Sequence, residues 1–97
     1  MDSKMLNDII AVLGKFPVEK AWLFGSFARN EEDNWSDIDV LVRFCPSEKI
    51  TLFRYGGIVY NLEQATGRKV DLVEEGMLHP FALNSAEKDK ILIYEKP

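Results

Sequence analysis

Gly25-Ser26 and, after ten intervening residues, Asp37-Ile38-Asp39 are the candidate reactive positions of the sequence. Asp37 and Asp39 open an apolar run that continues to Phe44. Strand side chains alternate between faces, so the two carboxylates project the same way, with Leu41 and Arg43 after them, and their Cβ atoms lie about 6.5 Å apart. Like charges that close raise each other's pKa unless a cation sits between them. Mg²⁺ suits the position, because it binds through one or two carboxylates, phosphate oxygens and retained waters. The pair therefore reads as a ledge for the metal of a nucleoside triphosphate.

Gly25-Ser26 supplies the matching half. It follows the apolar run Val18 to Phe24 and opens a short helix expected over Phe27 to about Glu31. Glycine lets backbone approach a phosphate closely, and a helix N-terminus presents free N–H groups to an anion. The Ser26 hydroxyl adds a donor. Arg29, one turn on, either reaches a phosphate or stands in solvent. Each half is common by itself, as a turn or a surface pair. Together they fix four positions, and at roughly 5–7% usage per residue type a chance match in a chain this long is about one in a thousand.

The elements that must hold these residues alternate. A helix capped by Ser3 carries Met5, Leu6, Ile9, Ile10, Val12, Leu13 and Phe16 at helical spacing and ends between Gly14 and Pro17. Strands are expected over Val18 to Phe24, Asp37 to Phe44 and Lys69 to Glu74. A helix over residues 48 to 66 carries Ile50, Phe53, Ile58, Val59, Leu62 and Ala65 on one broad face and is capped by Gly67. Gly56-Gly57 within it costs about 1 kcal/mol per glycine against alanine, which predicts a kink, a break or a close contact. His79-Pro80 opens a last helical segment ending in an apolar tail, Ile91 to Tyr94. The expected class is α+β: a small mixed sheet of α/β type with helices packed against it.

Composition bounds the function. The 97 residues suffice for one domain, 1–97, with one modest core. Net charge is −4, from 12 Lys and Arg against 16 Asp and Glu. With no basic stripe, direct nucleic-acid binding is not expected, because counterion release needs clustered cations. No apolar run approaches a membrane span, and MDSKMLND lacks the features of a signal peptide, so a cytoplasmic location is expected. Cys45 is the sole cysteine and His79 the sole histidine, so neither an internal disulfide nor a zinc site of those ligands is suggested.

With "LFGSFAR", "SDIDVLV", "KVDLVEE" and "DKILIYEK", the chain resembles the nucleotidyltransferase superfamily headed by DNA polymerase beta. It is most similar to the minimal nucleotidyltransferases, commonly the antitoxin partners of HEPN-domain toxins. The resemblance implies a third catalytic carboxylate, which "GRKVDLVEE" supplies as Asp71. A salt bridge to Lys69, Arg68 or Arg43, or an exposed edge position, is the structural alternative for that residue. The resemblance further implies two Mg²⁺ ions held by Asp37, Asp39 and Asp71, nucleotide binding at Gly25, Ser26 and Arg29, and ATP as substrate. The implied reaction moves AMP to a protein hydroxyl, a tyrosine of a HEPN toxin, in line at the α-phosphate. Two rival readings remain: a non-enzymatic antitoxin that neutralises its toxin by contact, and a small-molecule nucleotidyltransferase that completes its pocket as a homo-oligomer.

The remaining residues read more plainly. Trp22 falls in an apolar strand and is expected in the core. Trp35 is pocket wall or partner contact. Glu74 and Glu75 are expected in solvent, and Tyr55, Tyr60 and Tyr94 have no reactive neighbour in the sequence.

Overall fold

The computed structural model describes residues 2–25, 37–76 and 90–97. Helix α1 spans Ser3–Leu13, and its cap is Asp2 rather than Ser3. The Asp2 carboxylate accepts from the Lys4 N–H at 2.8 Å, which leaves Ser3 as the first helical residue. Ile9, Val12 and Leu13 form its buried stripe. After the Gly14 cap the chain enters strand β1, Val18–Phe24.

Strand β2, Ile38–Phe44, runs antiparallel to β1. Helix α2 then spans Leu52–Thr66. It starts later than the sequence suggests because Thr51 caps it, its side chain accepting from the Arg54 N–H at 3.1 Å. Gly67 ends it in the left-handed conformation, at φ +68°. Strand β3, Val70–Glu74, lies parallel to β2, as a strand–helix–strand crossover requires. Strand β4, Ile91–Glu95, is antiparallel to β1. The sheet order is β3-β2-β1-β4.

Three further expectations change. The tail Ile91 to Tyr94 is a strand that pairs one side of β1. A β-branched and aromatic tetrapeptide suits a pleated surface, and an unpaired β1 edge would be exposed to other chains. Helix α2 passes through Gly56 and Gly57 without a break, and a Cβ on either would meet nothing within 4 Å. Tertiary packing of the flanking turns, through Ile58 and Leu62, outweighs the low propensity of the pair. Phe53 and Ala65 do not join the inward face. Phe53 is 93% exposed, since five residues before Ile58 is about 140° away round the helix.

Both helices contribute to one core against one face of the sheet. Ile9 and Leu13 of α1 and Ile58 and Leu62 of α2 meet Val18, Ala21 and Leu23 of β1, Ile38, Val40 and Val42 of β2, and Val70 and Leu72 of β3. Each fully buried Ile or Leu there contributes about 1.5–3 kcal/mol. This is the mixed sheet with helices packed against it that the sequence predicts. Among the described residues, no helix is long and apolar enough to cross a membrane.

Candidate active site

The face of the sheet turned away from the helix-side core is organised in rows by the strand register. In β2 the core takes Ile38, Val40 and Val42, so alternation sends Asp39, Leu41 and Arg43 to the other face. Phe24 pairs with Asp39 across β1 and β2, and Asp39 pairs with Asp71 across β2 and β3. Phe24, Asp39 and Asp71 therefore form one row, with adjacent strands about 4.8 Å apart. The next row is Trp22, Leu41 and Val73, from the same registers. Beyond it lie Lys20 and Arg43.

This arrangement separates chemistry from scaffold. Trp22 and Leu41 are buried, at 8% and 1% exposure. Trp22 is thus interior, as expected, yet it stands apart from the helix-side core cluster. Arg43 and Lys90 stack on its ring, 5.5 and 4.7 Å from the centroid. Arg43 also makes a two-pronged pair with Glu75, the shortest contact 2.9 Å, and approaches Glu19 at 3.5 Å. The Glu75 carboxylate hydrogen-bonding the guanidinium, aided by Glu19, raises the Arg43 pKa, against a smaller opposing effect of burial. So Glu75 is a partner of Arg43 rather than a freely solvated group.

At the carboxylate end, β1 terminates beside Asp39. Gly25 has φ +71°, in the left-handed region that glycine alone adopts without strain. A Cβ at Gly25 would collide with the nearer Asp39 carboxylate oxygen and lie 3.3 Å from Asp39 Cγ. Glycine is required here both by the turn and by the carboxylate packed against it. Asp37, exposed, immediately precedes β2. The start of that strand is tied to β3 by the Ile38 N–H, which donates to the Lys69 carbonyl at 2.9 Å. Asp71 is exposed, and Asp39 is partly buried.

The structure thus brings together Gly25, Asp39 and Asp71, with Asp37 at the adjoining strand end. Ser26, Arg29, Trp35, His79 and the helix expected over Phe27 to Glu31 lie outside the described residues. Among the described residues, no group of three or more His, Cys, Asp or Glu could hold a metal ion by itself. The donors present are nonetheless carboxylate oxygens in adjacent register, which suit a hard cation that takes its other ligands from phosphate and water.

Two residues with a structural part in this end of the sheet escaped sequence reasoning. The Tyr55 hydroxyl donates to the Leu72 carbonyl, and Glu63 Oε2 accepts from the Val70 N–H at 2.9 Å. Desolvation, then the charges of Asp71 and Glu74, push the Tyr55 hydroxyl above its ordinary pKa of 10.0. The available signal was their periodicity. Tyr55 and Glu63 share the inward stripe of α2 with Ile58 and Leu62, where a polar group needs a partner.

Comparison with known proteins bears on the whole chain. The model of the nucleotidyltransferase domain family matches residues 4–93. A Methanocaldococcus jannaschii protein assigned as a protein adenylyltransferase is 40% identical over 90 residues, spanning 93% of this chain and 89% of that protein. A solved minimal nucleotidyltransferase superposes with a TM-score of 0.73 at 28% identity, covering 89% of this chain and 86% of the other. A chain from a complex of tri-AMPylated Shewanella oneidensis HEPN toxin with its MNT antitoxin has the same fold, with a TM-score of 0.74 at 19% identity over 99% of this chain and 74% of that one. A strand-end glycine packed on the first carboxylate strand, a further aspartate in register on the next, and a family match over nearly the whole length lead to one conclusion: the chain belongs to the nucleotidyltransferase domain family, as a minimal nucleotidyltransferase.

Proposed function

We propose that this nucleotidyltransferase moves AMP from ATP to a tyrosine hydroxyl of a HEPN-domain toxin and thereby acts as its antitoxin. The observation that carries the reading is the register of Asp39 with Asp71 beside the left-handed Gly25. It supports a carboxylate site beside the strand-end glycine. The protein-directed reaction and the toxin partner are supported by the assignment of the 40%-identical relative and by the AMPylated HEPN complex of like fold.

In this reading Gly25 and Ser26 offer backbone and hydroxyl donors to the phosphates. Arg29 adds a positive charge there. Asp37, Asp39 and Asp71 would hold two Mg²⁺ ions, which when bound would neutralise the phosphates and lower the pKa of the attacking hydroxyl. Asp71, at the sheet edge, orients the tyrosine hydroxyl and favours loss of its proton. The tyrosine hydroxyl releases its proton to solvent, its oxygen forms a bond to the α-phosphorus, the bond to the bridging oxygen toward the β-phosphorus breaks, and pyrophosphate leaves. Positioning and charge stabilisation supply most of the acceleration.

The test replaces Asp37, Asp39 and Asp71 each by Asn and follows label from the α-phosphate of ATP onto a co-expressed HEPN-domain protein. Transfer should fall by several orders of magnitude, since metal-assisted charge stabilisation contributes several kcal/mol. The fold should persist, with repulsion among the carboxylates relieved. Neutralisation of the toxin should disappear together with the label. A triple Asn variant that still neutralises at stoichiometric amounts, with no label on the partner, would establish inhibition by contact alone.

A further inference from the structure

Asp71 lies on β3, an edge of the sheet. The outer side of an edge strand carries N–H and C=O groups that no neighbouring strand satisfies. Two bonds to β2 identify which groups these are. The Lys69 carbonyl accepts from the Ile38 N–H at 2.9 Å, and the Glu75 N–H donates to the Val42 carbonyl at 2.7 Å. Successive residues of a strand turn their backbone groups to opposite sides. Lys69, Asp71, Val73 and Glu75 therefore face β2, while Val70 and Leu72 face outward. Those two residues bracket Asp71.

One outward group of each residue is bonded from α2. The Val70 N–H donates to Glu63 Oε2 at 2.9 Å, and the Leu72 carbonyl accepts from the Tyr55 hydroxyl. Eight residues separate the two side chains, which is about two helical turns. Each has a second anchor. The Glu63 carbonyl accepts from the Gly67 N–H at 2.8 Å, closing α2. The Tyr55 ring packs edge-on against Phe44, with centroids 6.4 Å apart.

We propose that Tyr55 and Glu63 are positioning residues that clamp β3 on either side of Asp71 and so hold its carboxylate in register with Asp39. The inference rests on the reading of Asp71 as a reacting carboxylate. Its physical basis is the two-residue period of a strand. A slip of β3 by one residue would turn Asp71 into the helix-side core and bring Val70 or Leu72 to the site. A smaller displacement would still move Asp71 relative to Asp39. The clamp reaches β3 from the helix side, so it steadies the strand without occupying the face that carries the aspartates.

The test compares Tyr55→Phe, Glu63→Ala and Glu63→Gln in the full chain, with the exposed Tyr60→Phe as control. Amide hydrogen exchange is measured without metal. Mn²⁺ then serves as a paramagnetic probe of the aspartates, and nucleotide transfer is followed against Mg²⁺ concentration. Tyr55→Phe and Glu63→Ala should speed exchange at Asp71 and Val73 about tenfold, leaving α1 unchanged, and should raise the metal concentration needed for half-effect about tenfold. Glu63→Gln keeps an acceptor for the Val70 N–H and should remain close to the parent in both measurements. Lower melting temperatures with unchanged metal dependence and unchanged β3 exchange would overturn the proposal, leaving the two residues merely structural. If Asp71→Asn retains full transfer, the catalytic reading itself fails. If Asp71→Asn is inactive while Tyr55→Phe behaves as the parent throughout, the clamp fails alone.

Discussion

Replacing Gly25 by alanine perturbs the backbone and the site together, and Gly67 provides a matched comparison. The two glycines have φ of +71° and +68°, so alanine at either incurs about 1–2 kcal/mol of left-handed strain. Their surroundings differ. A Cβ at Gly67 meets nothing within 4 Å, whereas one at Gly25 collides with the Asp39 carboxylate and stands 3.3 Å from its Cγ. The Asp39 side chain must rotate or its strand must shift. Rotation by about 30° from a rotamer adds roughly 0.5–1.5 kcal/mol. Gly25→Ala should thus destabilise by about 2–3 kcal/mol and Gly67→Ala by about 1–2, both measured by urea unfolding. The activities should diverge much further. Displacing Asp39 by about 1 Å is enough to slow transfer roughly a hundredfold, or about 2.7 kcal/mol in the barrier. Gly67→Ala, once corrected for folded fraction, should transfer at the parent rate. Equal transfer by the two variants would refute the argument that Gly25 is small in order to seat Asp39.

Two further outcomes follow from the same geometry. Gly56→Ala should stabilise the protein by about 0.5–1 kcal/mol in urea unfolding, because a Cβ there meets no neighbour and the helix is already formed. The raised pKa of Tyr55 keeps its hydroxyl protonated in the folded chain at pH values where the unfolded chain has begun to ionise. Its contribution should therefore be complete below pH 10.0, the ordinary value, and decline as pH rises toward the folded pKa. Tyr55→Phe should remove that part of the alkaline decline in a pH series of unfolding measurements.

Local elements and the chemical alphabet of the site were legible from residue order alone. Alternation in β2 separates Ile38, Val40 and Val42 from Asp39 and Arg43, and that pattern is legible because it depends only on neighbours two residues apart. The Gly67 cap and strand β1 were legible for the same reason. Features that depend on distant partners emerged only with packing. Ile91 to Tyr94 became a strand only because β1 had a side to pair. Gly56-Gly57 stayed helical because Ile58 and Leu62 are held in the core. The pairing of Asp39 with Asp71 and the two hydrogen bonds that bracket Asp71 join residues far apart in the chain. Spacing can propose three aspartates, but only a register between strands and a helix docked at their edge can set them side by side, because those contacts exist only after the chain has closed on itself.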